Sequence, residues 1–160
     1  MPRLHQANIL DPISLTFELF PIYQQLFPNE TFDQFYAWGQ LMVTDFEEVD
    51  RHLVDGEKIF QNLAELKRID TTIDAWLNED GALSPHQMAY MRFWESLGHL
   101  YQLLQQRLRV QGMASAGLAL RQLADKVAAE RPNLPWKKVI FAGFNALSPE
   151  IGRASCRERV

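Results

Sequence analysis

Between Phe32 and Val54 the residues Phe32, Phe35, Tyr36, Gly39, Met42, Val43, Phe46, Val49 and Leu53 recur at helical spacing, the strongest period in the chain. The spacing predicts a helix over 32–54, which at the α-helical rise runs roughly 34 Å. Gln34, Gln40, Thr44, Glu48 and Arg51 fall on its opposite face. A stripe this long has to be covered by other helices, and the rest of the chain supplies them.

Asp11-Pro12 is a helix start, because Asp accepts backbone N–H bonds and Pro loses nothing at the first helical position. Leu15, Leu19, Ile22, Tyr23 and Leu26 then share a face. Pro21 is expected to kink or split that helix, and Pro28-Asn29-Glu30 to end it. After a break at Asp55-Gly56, Ile59, Phe60, Leu63 and Leu66 give a narrower stripe over 57–69, and Asn78-Glu-Asp-Gly81 reads as a loop. Ser84-Pro85 repeats the start signal. Tyr90, Phe93, Trp94, Leu97, Leu100, Tyr101, Leu104 and Leu108 form a second long stripe, with Gly112 as its C-terminal cap. Ser115 opens a fifth helix to about Glu130, with Leu120, Leu123 and Val127 as its expected inner face and Arg131-Pro-Asn-Leu-Pro135 as its stop.

The pattern changes only at Lys137-Lys-Val-Ile-Phe-Ala-Gly143, a short apolar run read as the one strand, over 137–142. A single strand leaves its own backbone groups unpaired, so its neighbours are expected from chain beyond this sequence. The fold expected is thus mainly α: a bundle-like subdomain of about five helices with one short C-terminal strand belonging to an α/β lobe. The segment 1–10 is left unassigned, 11–134 is the helical unit and 135–150 the start of the returning α/β core. The decapeptide 151–160, Ile-Gly-Arg-Ala-Ser-Cys-Arg-Glu-Arg-Val, resembles the translated read-through of a short-read sequencing adapter; the alternative is a natural basic tail.

Setting that tail aside removes three arginines against one glutamate, taking the net charge from −4 to −6. It also removes Cys156, the single cysteine, which excludes an internal disulfide framework and a cysteine metal cluster. Met1-Pro-Arg-Leu-His lacks the basic-then-apolar order of a secretory signal, and a cytoplasmic location fits. No apolar run approaches the roughly 18 residues of a membrane span.

Chemistry-bearing residues are sparse. Asp45, Glu47, Glu48, Asp50 and Asp55 invite a metal-site reading, since Asp45 and Glu48 could share a helical face. No histidine stands at ligand spacing beside them, and capping, salt-bridge or solvated roles are the expectation, with Asp45 and Asp50 fixing helix–helix contacts. His5, His52, His86 and His99 are scattered and assemble no nucleophile–base set. Trp38, Trp76, Trp94 and Trp136, with Tyr36 and Tyr101, suit stacking against single-stranded DNA, but their spacing puts most on stripes expected to be buried. Arg107, Arg109, Arg121, Lys126, Lys137 and Lys138 are the candidate phosphate contacts, although the acidic body argues against a free-standing DNA binder.

Three groups of residues carry a resemblance. One is Phe35-Tyr-Ala-Trp-Gly39 with Thr44-Asp-Phe-Glu-Glu-Val-Asp50, Leu53-Val-Asp55 and Ile59-Phe60-Gln-Asn-Leu63. A second is Phe93-Trp94, Leu100-Tyr101, Leu108 through Gly112, and Arg121. The third is Val139-Ile-Phe-Ala-Gly-Phe-Asn-Ala-Leu-Ser148. In order and spacing they resemble, over residues 11–150, the AddB-like subunits of bacterial helicase-exonucleases, in the divergent branch of PD-(D/E)XK nuclease family proteins.

The resemblance implies that this chain is an internal piece: the helical insertion of a helicase-like lobe, acting as non-catalytic scaffold and DNA channel in double-strand-break processing. It implies DNA and a helicase-nuclease partner subunit as partners, no cofactor in this piece, and Mg²⁺ in a nuclease domain further along the parent chain. Active helicases place two acids at the end of the corresponding strand, one for the metal of ATP and one for the attacking water. Here Ala142 and Gly143 stand there, and no GxxxxGK[ST] cradle occurs. No catalytic, metal or cofactor residues are therefore expected. The alternative is a helical protein-interaction scaffold with no DNA role.

Overall fold

In the computed structural model, residues 8–76 and 83–130 are described. The expected loop at 78–81, the strand over 137–142, the 131–135 stop, His5, Trp136, Lys137, Lys138, Ala142, Gly143, Cys156 and the decapeptide 151–160 all lie outside those residues. Five helices and one two-stranded parallel pair make up the described chain: β1 (Asn8–Ile9), α1 (Pro12–Leu26), α2 (Phe32–Arg51), α3 (Gly56–Trp76), α4 (Pro85–Val110), β2 (Met113–Ala114) and α5 (Ala116–Glu130). The mainly helical class is the one expected. The strand pair, Asn8 opposite Met113 and Ile9 opposite Ala114, was not foreseen; two-residue strands are too short to show alternation.

The helix starts form as their residues dictate. The Ser14 hydroxyl donates to Asp11 Oδ2 at 2.6 Å and the N–H groups of Ser14 and Ile13 donate to Oδ1 at 3.0 and 2.9 Å, which together hold the Asp11 carboxyl below its ordinary range. Ser84 and Gln87 close a reciprocal box, Ser84 N–H donating to Gln87 Oε1 at 2.8 Å and Gln87 N–H to Ser84 Oγ at 3.2 Å. Gly112, just past α4, adopts φ +67°, the left-handed turn that frees the chain to run back toward β1. Pro21 does not split α1, which stays continuous through it; Pro21 and Phe17, whose carbonyl loses its donor, are both exposed, so water can replace that bond.

The core lies where α1, α2 and α4 face one another, around Leu15, Leu19, Phe35, Val43, Leu100 and Leu108. α1 runs antiparallel to α2 and to α4, with Tyr23 against Phe35 and Arg107 against Glu18. α3 packs chiefly along α4, placing Phe60 on Tyr101 and Thr71 on Met91. α5 closes the C-terminal half of α2, where Gly117 lets the two backbones approach: a Cβ there would stand 2.5 Å from the Glu47 carbonyl oxygen.

Two expected faces are corrected. In α3, which continues to Trp76 rather than ending near Ile69, Phe60 and Leu63 turn inward while Ile59 and Leu66 are exposed. In α5 the inner residues are Gly117, Leu118, Arg121 and Ala124, and Leu123 is exposed. The close approach at Gly117 and the attraction of Arg121 for α2 set the rotation of α5, against the stripe its leucines suggested.

The end of α2 differs from the sequence reading for a local reason. Leu53 has φ +54°, its N–H donates to the Asp50 carbonyl at 3.0 Å, and Val54 N–H reaches back to the Val49 carbonyl at 3.1 Å. That is a Schellman closure with leucine where glycine is usual, so α2 stops at Arg51 instead of running to 54. A Leu53→Gly variant is expected to exceed Leu53→Ala in unfolding free energy by about 1 kcal/mol, since only the alanine keeps a Cβ in the left-handed region. Urea denaturation of the two variants measures the difference, and equal midpoints would contradict it.

Candidate functional site

The acids between 45 and 55 point in different directions and do not converge. Asp50, one helical turn beyond Phe46, is 2% exposed and stands between α4 and α5. Its Oδ1 accepts the Tyr101 hydroxyl at 2.7 Å and the Gln105 side-chain amide at 2.8 Å. Arg121 Nε lies 2.8 Å from the same oxygen but off the axis of its N–H, so that contact is ionic more than directed. The guanidinium spends Nη2 on the Val49 and Val54 carbonyls, at 2.7 and 2.6 Å, where α2 turns out of its helix. One side chain thereby neutralises a buried carboxylate and satisfies the orphan carbonyls of a helix end.

Burial pushes the Asp50 carboxyl above its ordinary range, opposed by the Tyr101 hydroxyl and the Arg121 charge. The same burial, with Asp50 as acceptor, pushes the Tyr101 hydroxyl upward, so the proton stays on tyrosine and the hydrogen bond keeps its sense.

The remaining acids have other tasks. Glu47 Oε1 accepts the Ala116 N–H at 3.2 Å, holding a carboxylate at the positive end of α5. Glu48 pairs with Arg51 and His52 on the surface of α2, both at 3.1 Å. Asp55 accepts Lys58 N–H at the start of α3 and is held below its ordinary range by that bond. Asp45 is exposed and forms no ion pair among the described residues, so the expected helix–helix contact belongs to Asp50 alone. Burial and the neighbouring Glu48 push the Asp45 carboxyl up. Among the described residues no group of three or more His, Cys, Asp or Glu converges in a way that could hold a metal ion.

The basic candidates separate as well. Arg121 turns inward, with its Nε against Asp50, its Nη2 on two carbonyls and 18% of the side chain exposed, so its charge is largely engaged within the fold. Arg107 lies against Glu18 at 2.6 Å. Arg109 is exposed and donates to Gln105 at 3.3 Å, and Lys126 is exposed on α5. Arg107 and Arg109 both sit in the last turn of α4, where a cation complements the helix dipole.

His52, His86 and His99 are exposed, and His99 borders a cleft of about 440 Å³ between α3 and α4. The Arg68–Glu95 pair, 2.6 Å apart, spans that cleft. No family model, curated protein or solved structure matches the chain. Among the aromatic residues, Tyr101 is buried as expected and Trp94 is half-buried, but Trp38 is 57% exposed with its ring 6.1 Å from Phe93.

The Asp50–Arg121 partnership was the functional group missed by sequence reasoning. The sequence reading places Arg121 among the phosphate contacts and Asp50 at a helix–helix contact, without pairing the two. The usable signal was the lone charge on the apolar face of α2, one turn past Phe46 and directly after Val49.

Proposed function

We propose that the chain is a non-catalytic helical scaffold: the helical subdomain of a degenerate helicase-like lobe in a nuclease subunit that processes DNA double-strand breaks. One observation carries the scaffold reading. Among the described residues the most deeply buried ion pair, Asp50 with Arg121, is also held by Tyr101, Gln105 and two backbone carbonyls, so its charge serves to lock α2, α4 and α5 together. The link to DNA repair and recombination rests on the residues that resemble AddB-like subunits. On that reading the parent is a Mg²⁺-dependent DNA exonuclease of the cytoplasm that works with a helicase-nuclease partner subunit. Among the described residues no helix is long and apolar enough to cross a membrane.

Among the described residues Arg109 and Lys126 are the exposed cations of the candidate set, so DNA contact there is a minor patch beside a larger channel. Anisotropy of a labelled duplex with a frayed end, titrated with the full chain, is expected to show weak binding that drops steeply between about 50 and 200 mM salt. Arg109→Ala with Lys126→Ala lowers it further. Binding that is insensitive to both salt and these changes would remove the DNA role. The reading then left is a protein-interaction scaffold, which the exposed apolar side chains on α2 and α3 favour.

A further inference from the structure

β2 has one edge that its pairing with β1 does not use. Asn8 N–H donates to the Gly112 carbonyl at 3.2 Å and Leu10 N–H to the Ala114 carbonyl at 2.9 Å, so β1 lies along one side of β2. Successive residues of a strand present their backbone groups to opposite sides, which turns the Met113 N–H and C=O away from β1. Among the described residues neither group finds a hydrogen-bond partner. Met113 is partly buried against the core, where an unpaired backbone group is costly.

The two strands are also covered unequally. Ile9 of β1 is 59% exposed and Asn8 is exposed beside it, as on the rim of a sheet, whereas Ala114 of β2 is 0% exposed, with α4 and α5 both packed on β2. β2 is therefore the inner strand of the pair. Two such short strands make too small a sheet to be stable unaided, so a third is required.

The chain itself holds a run that fits. Residues 139–142, Val-Ile-Phe-Ala, lie outside the described residues and are apolar throughout, the composition of a parallel strand covered on both faces. The connection from β2 to that run contains α5, and a helix between consecutive strands is the link that joins parallel neighbours by a right-handed crossover. Its length suffices. α5, of 15 residues, runs about 22 Å, while residues 131–138 can span up to about 28 Å and so return the chain to the level of β2.

We infer that the free edge of β2 is the docking edge for residues 139–142 of the same chain, giving a parallel sheet in the order β1, β2, 139–142. The neighbour of that run then lies within this chain, where the sequence alone pointed beyond it. Helices α1 to α4 become an excursion between two adjacent strands of one sheet. This assignment does not depend on the DNA reading: a chain that fails to bind DNA keeps the edge.

Amide hydrogen exchange on the full chain tests the pairing at a single atom. The Met113 amide is expected to exchange at least about tenfold more slowly in the parent than in an Ile140→Pro variant, because proline breaks a ladder it stands within. The Leu10 amide, bonded inside the β1–β2 pair, is the internal reference and is expected to change little. Oxidation of paired cysteines needs no proline: neighbouring strands lie about 5 Å apart, within disulfide range. In a Cys156→Ser background, Met113→Cys is expected to close an intramolecular disulfide with Val139→Cys, Ile140→Cys or Phe141→Cys. Leu66→Cys, an exposed position on α3, is expected to close with none of them. A Met113 amide that exchanges freely in the parent, or pairings that close no faster than the Leu66→Cys control, overturns the proposal. So does a disulfide found only between molecules, since the edge would then pair with a second copy.

Discussion

Asp50→Ala will cost the fold about 3–5 kcal/mol, the range found when one member of a buried ion pair is removed and the other is left behind. The residue is 2% exposed, and its loss strands the Tyr101 hydroxyl, the Gln105 amide and the Arg121 guanidinium together. Asp50→Asn keeps an acceptor oxygen for Tyr101 and Gln105 and is expected to lose a minor part of that energy. Arg121 in that variant still holds the Val49 and Val54 carbonyls at the negative end of α2. Asp50→Ala combined with Arg121→Met is expected to cost less than the two single changes added, because it leaves no unpaired charge behind. Chemical denaturation of the four proteins measures each cost; an alanine variant within about 1 kcal/mol of the parent would refute the hub.

The pH dependence has a definite sign. Burial raises the Asp50 carboxyl in the folded state, so the folded chain holds that proton more tightly than the unfolded chain. Its contribution is fully present below the ordinary carboxylate pKa and is lost as pH rises through the raised one. The parent therefore gains on Asp50→Asn as pH is lowered from neutrality through this window, whereas the parent would lose ground if the ion pair outweighed desolvation. Exposed Asp11 and Asp55 behave oppositely: their carboxyls are lowered, and the capping stability they give is lost as pH falls.

Helices α1, α2 and α4 were legible because each combines a wide apolar stripe with start signals that act within a few residues, Asp11-Pro12 and Ser84-Pro85 among them. α5 was legible as a helix and misread as a face. Its docking depends on Gly117 fitting against the Glu47 carbonyl and on Arg121 finding Asp50, and neither a glycine nor an arginine adds to an apolar stripe. The exposure of Leu66 was hidden for a related reason: periodicity identifies a candidate inner face but not whether a neighbouring helix arrives to cover it. The hub itself joins residues 50, 101, 105 and 121, and no local pattern links positions so distant in sequence. Helical class is a sum of short-range preferences, while the candidate site is a set of long-range pairings.

Phe35→Ala will destabilise the chain by about 3–5 kcal/mol, as expected for an aromatic ring removed from a close-packed core. The side chain is fully buried, with Tyr23 at 4.7 Å and Phe20 at 5.2 Å between ring centroids, so its loss loosens the α1–α2 contact directly. Its ring also fills the space that a side chain at Gly39 would need: a Cβ there would stand 2.5 Å from the ring and 3.0 Å from Thr16 Cγ2. Gly39→Ala alone is therefore expected to cost about 1–3 kcal/mol through overpacking. In the Phe35→Ala background the obstruction from the ring is gone and the helix preference of alanine, about 1 kcal/mol over glycine, dominates. Gly39→Ala should then restore stability instead of reducing it, a reversal of sign that melting of the four proteins reads directly. Additive costs would mean that the ring does not occupy the space over Gly39, and that α1 and α2 pack in some other register.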